Sequence, residues 1–405
     1  MMEKIRLGDI ATTITKGTTP TTIGFPFVDT GINFVKIESI DEAGNFLPDR
    51  FAHITDECNR KLGRSKLEEN DILFSIAGAI GRTAIVTKSI LPANTNQALA
   101  IIRIPSNAIN LQFVLYALQS QAVAEQSAKQ KQGVAQLNLS LKNIADIQIP
   151  LVSSEKQAEI VRILAALDVT IGQRKEQIKF IDQLVKSRFI ELFGDPERNP
   201  KKWPVVSITE IIQGKVSNGF FAKRNAYRTD GNVQVLGVAN IVNRMYSNIE
   251  GLPRTNATQA EKEKYRVNYG DMLFCRSSLV AEGIGKASIV PQDTPQNVLF
   301  ECHVIRLPLD LQKCVPEFVQ TLSTTPYFRK QIIAQSKTAT MTTIGQDGIL
   351  KAAIILPPVE LQQEFLRFVK QTDKSKYYSS LSFRYCQVAA NTYRQEWMTC
   401  RTSDF

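Results

Sequence analysis

The hydrophobic pattern of this chain is written twice, about 200 residues apart. Asp71-Ile72-Leu73-Phe74 is matched by Asp271-Met272-Leu273-Phe274. Gly81-Arg82-Thr83-Ala84-Ile85-Val86 answers Gly285-Lys286-Ala287-Ser288-Ile289-Val290, and Ile101-Ile102-Arg103-Ile104-Pro105 answers Val304-Ile305-Arg306-Leu307-Pro308. The copies close alike, at Ile147-Gln148-Ile149-Pro150 and Ile354-Ile355-Leu356-Pro357. Each then runs into an E-x-Q sequence, Glu155-Lys156-Gln157 and Glu360-Leu361-Gln362. The offset drifts from 200 to 207, as loops between matched elements gain or lose residues. A repeat of this kind decides the fold, and two equivalent lobes suit an object with two separated, similar features, of which duplex DNA is the commonest.

Within the first copy, short apolar runs at 32–37, 71–76, 84–87 and 98–104 alternate with turns rich in Gly, Asn and Pro. One helical stretch near 111–128 interrupts them. This predicts an α+β, mostly-β globule over 1–152 and a second over 205–357. From Ser153 the period changes. Ile160, Leu164, Leu167, Ile171, Arg174, Ile178, Ile181, Val185, Arg188 and Leu192 follow a 4,3,4,3 spacing with only the two arginines polar. Such a seam predicts a long helix over 153–194, packed against another helix. Ser153 or Ser154 serves as N-cap with Glu155 in the first turn, and Gly194-Asp195-Pro196 ends it. At 1.5 Å per residue the rod is roughly 57 Å long, enough to fix a separation between lobes. Arg174 and Arg188, which break the seam, are expected to pair with acids on the partner helix.

Residues 195–204 read as a polar, proline-punctuated linker. A second helix is expected to start at 358, with Leu361, Phe365, Phe368 and Thr372 as a shorter seam over 358–376. Residues 377–405 show no clean heptad and read as an atypical C-terminal tail, unable to complete an antiparallel pair with the first helix.

Composition adds bounds. With 43% hydrophobic and 22% charged residues over 405 positions, each lobe can bury its own core. Six cysteines without a C-x-x-C read as reduced thiols of a cytoplasmic protein. The start lacks a basic-then-apolar leader, and no apolar run approaches the roughly 20 residues that span a bilayer, so no membrane partner is expected. The net charge of +10 is uneven: residues 201–357 carry 19 Lys and Arg against 12 Asp and Glu, whereas residues 1–152 carry 15 against 14. The excess in the second lobe suits a polyanion, because each neutralised phosphate releases a counterion. The first lobe has to rely on local clustering.

Catalytic signatures are missing from the sequence. There is no [DN]-P-P-[YF] clamp for a flipped adenine, no G-x-x-x-x-G-K-[ST] phosphate loop and no evident PD…(D/E)-x-K nuclease core. His53 and His303 are too isolated for a metal cage and read as structural. The candidates for DNA contact are polar and cationic. In the first lobe they are Lys16, Thr18, Thr19, Arg60, Lys61, Arg64, Lys66, Lys129 and Lys131. In the second they are Asn218, Lys223, Arg224, Arg276, Ser277, Ser278, Lys337, Thr338 and Thr340, because Arg and Lys suit guanine, Asn suits adenine and hydroxyls suit phosphates. Arg82 and Lys286 each follow a Gly-rich turn. They leave two readings open, a phosphate grip or a tight turn that needs glycine.

The order of these features, repeated in tandem over about residues 1–376, resembles the specificity (S) subunit of Type I restriction-modification systems. The carriers are Ile5-Arg6-Leu7-Gly8-Asp9-Ile10, the Asn70-Asp71 and Gly270-Asp271 steps, the Gly-rich turns, Leu137-Asn138-Leu139-Ser140-Leu141, the E-x-Q helix starts and Arg188-Phe189-Ile190-Glu191-Leu192-Phe193-Gly194-Asp195-Pro196. The resemblance implies two target recognition domains, each reading half of a split DNA sequence, separated by long helices that form an antiparallel coiled coil. It implies docking of two methyltransferase (M) subunits and of restriction (R) motor-nuclease subunits. It also implies that S-adenosylmethionine, ATP and Mg sit on those partners, with no cofactor, metal or catalytic centre here. Two rivals are an inactive allele acting only as a protein scaffold, suggested by the tail, and a nucleic-acid enzyme with an unrecognised site.

Overall fold

The computed structural model describes residues 3–105, 107–129 and 138–399, and it divides into two units. One comprises residues 1–175 with 380–405, the other residues 176–379. Among the described residues no helix is long and apolar enough to cross a membrane.

In the first unit a four-stranded antiparallel sheet runs in the order Thr13–Lys16, Leu99–Arg103, Ile72–Ser75, Thr83–Ile85. Its central strands, Leu99–Arg103 and Ile72–Ser75, read as continuous apolar runs because both of their faces are covered. A second sheet, ordered Ala52–Ile54, Ile32–Val35, Ala93–Thr95, contains one parallel pair. A short antiparallel pair, Lys4–Arg6 with Gln148–Pro150, brings the lobe's two ends together.

The second unit repeats this plan. Its four-stranded sheet is ordered Ser217–Asn218, Val304–Leu307, Met272–Cys275, Ala287–Ile289, and its mixed sheet Arg254–Thr255, Val233–Leu236, Val298–Phe300. Val205–Ser207 closes the lobe against Ala353–Ile355. Against the edge strand the register repeats, Ile72 facing Ile85 as Met272 faces Ile289, but against the other neighbour it shifts by two residues: Ile72 faces Ile102, whereas Met272 faces Leu307 and not the matching Ile305. The Asp that opens this strand is a latch. Asp71 is fully buried, accepts the Glu68 N–H (2.7 Å) and takes both arms of Arg103 (2.7 and 2.8 Å). Asp271 likewise accepts the Asn268 N–H (2.9 Å), with Arg306 at 4.0 Å. Burial pushes the Asp271 carboxyl up to about 6, against the pull of that N–H and of Arg306.

Two helices, Ser154–Phe193 and Val359–Thr399, carry the seams. Ion pairs fix their mutual direction: Asp168 with Arg394, Asp182 with Lys376, and Arg188 with Glu364. Rising numbers on one helix meet falling numbers on the other, so they are antiparallel. Arg188 pairs with the partner-helix acid as expected, at 2.6 Å, and also with Glu191. All ten positions of the first seam are buried or half-buried. Ile160, Leu164 and Leu167 join the core of the first lobe, whereas Val185, Leu192, Leu361, Phe365 and Phe368 join that of the second.

The expected tail is corrected by the structure over 377–399; residues 400–405 lie outside the described residues. The second helix runs without interruption to Thr399, and Thr372, Lys376, Ser379, Phe383, Cys386, Ala390, Tyr393 and Trp397 continue a 4,3 spacing with every position buried or half-buried. The seam had been obscured because small, polar and aromatic residues build it instead of Leu and Ile. Trp397 and Met398 are buried in the core of the first lobe, Trp397 at 5.0 Å from Phe113 between ring centres. The linker 195–204 is tied to the helix before it. The Trp203 indole donates to the Phe193 carbonyl (2.9 Å) and Lys201 donates to the Leu192 carbonyl (2.8 Å), so it caps the helix whose last carbonyls would otherwise be unpaired.

Candidate nucleic-acid interface

Each lobe presents loops at the end of its four-stranded sheet, and the edge strand there is followed by a glycine with no space for a side chain. A Cβ on Gly17 would fall 1.8 Å from the Thr95 carbonyl oxygen, and one on Gly219 would fall 2.2 Å from that of Phe300. These glycines press the segments carrying Lys16, Thr18 and Thr19, or Asn218 and Lys223, against the turn that follows the parallel strand. In the first lobe Thr19 Oγ1 donates across this contact to Gln97 Oε1 (2.6 Å). Lys16, Thr18 and Thr19 are half-buried.

The exposed cations of the first lobe cluster on the helix Asp56–Lys61 and the turn after it. Arg60, Lys61, Arg64 and Lys66 all face solvent. Lys129, at the end of the helix Gln121–Lys129, is also exposed, whereas Lys131 lies outside the described residues.

In the second lobe folding unites candidates some 60 positions apart in the sequence. Ser277–Ser278, Thr342–Thr343 and Lys337–Thr338 form a small three-stranded antiparallel sheet, with Thr338 and Thr342 hydroxyls 3.0 Å apart. Lys337, Thr338 and Thr340 are exposed on its outer hairpin. Arg276 donates to the Cys302 carbonyl (3.3 Å), and the His303 ring meets Ser277 Oγ at 3.2 Å. Asn218 is half-buried in its edge strand and Lys223 is exposed. Arg224 begins the turn Arg224–Ala226, and its side chain lies outside the described residues.

The two Gly-turn cations are committed within their own lobes. Arg82 Nη1 donates to the carbonyls of Ile37 (3.1 Å) and Ile40 (2.9 Å). Lys286 Nζ donates to Asn243 Oδ1 (2.7 Å) on the corresponding loop of the second lobe. This geometry favours bracing over a phosphate grip.

Residue-by-residue reading missed three features. His303, read as structural, is exposed beside Ser277. Leu279 is 84% exposed directly after the small sheet. The glutamine of each E-x-Q is a buried clamp: Gln157 accepts the Asn110 N–H (3.0 Å) and donates to the Val152 carbonyl (2.9 Å). Gln362 does the same with Val315 (2.8 Å) and Pro357 (2.8 Å). Recurrence of the motif was the available signal.

The twofold plan has a counterpart among known proteins. The profile of the Type I restriction modification DNA specificity domain matches residues 1–181 and again 200–377. The chain belongs to this Type I specificity family. Similar proteins include the EcoBI specificity subunit of Escherichia coli, 36% identical over 153 residues, which are 36% of this chain and 31% of that protein. The EcoKI specificity subunit of Escherichia coli is 27% identical over 248 residues, 56% of this chain and 50% of that protein. The chain thus spans about a third to a half of the length of these two relatives. The MjaIX specificity subunit of Methanocaldococcus jannaschii is 22% identical over 78% of this chain and 74% of its own. Among solved structures, a chain from work on the assembly and conformational transition of the type I restriction-modification system superposes with a TM-score of 0.55. It is 16% identical and covers 97% of this chain and 96% of its own. The S subunit from M. genitalium gives 0.52 at 12% identity, covering 98% and 96%. These two share the fold of the Type I specificity family member described here.

Proposed function

We propose that this chain is the DNA-reading subunit of a Type I restriction-modification complex, each lobe reading one half of a split target. The observation that carries the reading is one scaffold built twice with different outer loops. The strand order repeats, while among the described residues the second lobe carries a Ser277–Lys337–Thr342 sheet and the first a cationic Arg60–Lys66 turn. A repeated scaffold with divergent loops suits two different half-sites, since function concentrates on loops held by rigid elements. Arg60, Lys61, Arg64, Lys66, Lys129, Lys223 and Lys337 are the phosphate candidates; Asn218, Arg276, Ser277 and Ser278 are the candidates for base edges or sugars.

The antiparallel helices act in this reading as the rod that sets the spacer and docks two methyltransferase subunits, with restriction subunits joining for cleavage. Catalysis belongs to those partners, which bring S-adenosylmethionine, ATP and Mg. The second helix keeps its seam to Trp397, which supports a working subunit over an inactive scaffold. Single-molecule methylome sequencing of plasmid DNA from cells co-expressing this chain with its methyltransferase tests the reading. Two short methylated halves around a fixed gap are expected. Unmethylated DNA in the presence of soluble methyltransferase would refute it.

A further inference from the structure

The second unit contains a cavity of about 420 Å³ beside the helix pair, a size typical of ligand sites, which span roughly 300–1,000 Å³. Five cations line it, Lys186, Arg244, Lys286, Arg329 and Lys376, against two carboxylates, Asp182 and Asp373. Asp182 is taken by Lys376, and Lys286 is held by Asn243. Lys186, Arg244 and Arg329 form no ion pair among the described residues. The neutral donors in the wall are committed to backbone: Gln320 Nε2 to the carbonyls of Arg244 (3.3 Å) and Ala287 (3.1 Å), Ser323 to Gln320, Thr324 to Thr321.

Arg329 stands out. One arm donates to the Glu282 carbonyl (3.1 Å), while Nη1 is buried without a hydrogen-bond partner. Burial pushes its pKa down, and no carboxylate opposes that shift. Its half-buried guanidinium adds a positive charge to the cavity wall that no carboxylate neutralises, and a planar fork of this kind fits phosphoryl oxygens in pairs. Ile181, Val185, Met245 and Ala287 supply an apolar wall beside it.

We propose that this cavity is a phosphate-binding site in which Arg329, Arg244 and Lys186 hold the phosphoryl oxygens of a free phosphorylated small molecule or of a DNA backbone. The DNA source rests on the reading of the chain as a DNA-binding subunit; the free source does not.

Isothermal titration of the full chain with inorganic pyrophosphate, at fixed ionic strength and without metal, is the test. It is paired with binding to a random-sequence duplex across a salt series. The variants are Arg329→Gln and the double variant Lys186→Ala with Arg244→Ala, whose exposed side chains can be removed without disturbing the fold. One-to-one pyrophosphate binding, weakened roughly tenfold or more in both variants, supports the site with a free source. No pyrophosphate binding, but duplex affinity reduced and the salt slope smaller by about one per lost contact, supports the DNA source. The proposal is overturned if the double variant matches the parent chain in both measurements. Should the parent bind no duplex at all, the DNA reading fails while pyrophosphate still decides the cavity.

Discussion

Gln157 and Gln362 show how one side chain can make a sequence signature obligatory. Each joins a long-helix start to the N-terminus of a lobe helix, through one accepted and one donated bond in a dry setting. Gln362→Ala orphans the buried Val315 N–H and is expected to cost about 1–3 kcal/mol in urea unfolding. Arg82, bonded to two carbonyls, and the exposed Lys337 are expected to behave differently. Arg82→Ala should lower the melting temperature and leave the salt dependence of duplex binding unchanged. Lys337→Ala should do the reverse, reducing the salt slope by about one. Asp373 offers a pH test. Its carboxyl is pushed up to about 6, chiefly by burial and then by Glu317 and Asp182, against Lys376. A raised folded-state pKa means stability present at pH below about 4 is lost as pH rises through about 6. Asp373→Asn should therefore raise the urea midpoint at pH 8, with the gain vanishing by about pH 4. An equal gain at both pH values would exclude that titration. None of these partners is visible along the chain. The recurrence of E-x-Q marks the glutamine, but which N–H it meets is set by packing.

At the scale of elements, the two seams differ in how openly they are written. The first helix spells its seam in Ile, Leu and Val, and its length follows from the period alone. The second half of Val359–Thr399 uses Ser379, Cys386 and Ala390, which fit a helix pair through small size and not through hydrophobicity. Its contribution lies at the end, where Trp397 meets Phe113. Trp397→Ala should destabilise the first unit by about 3–5 kcal/mol. Truncation after Lys376 should abolish hydrogen-exchange protection across 154–175. Full protection in the truncated chain would show that the helix pairing there is dispensable. The aromatic cluster Phe189, Phe193, Phe318 and Phe365, with ring centres 4.8–5.7 Å apart, closes the corresponding place in the second unit.

At the scale of the whole molecule, the repeat predicts modular reading. A chimaera whose residues 205–357 come from another family member should change one half of the methylated motif and keep the other; change in both halves would contradict independent lobes. The sequence by itself determined the duplication, the α+β lobes and the first long helix, because these depend on local periodicity and on recurring apolar blocks. It also pointed to the family through the order of those blocks. Only the tertiary structure decided that residues 377–399 are helix, that 195–204 is a cap, and that Arg82 and Lys286 brace loops. It alone joined Ser277 to Lys337 and Thr342, and gathered five cations around one cavity. Those outcomes depend on which distant surfaces meet, and contact between residues far apart in sequence leaves no periodic trace in the chain.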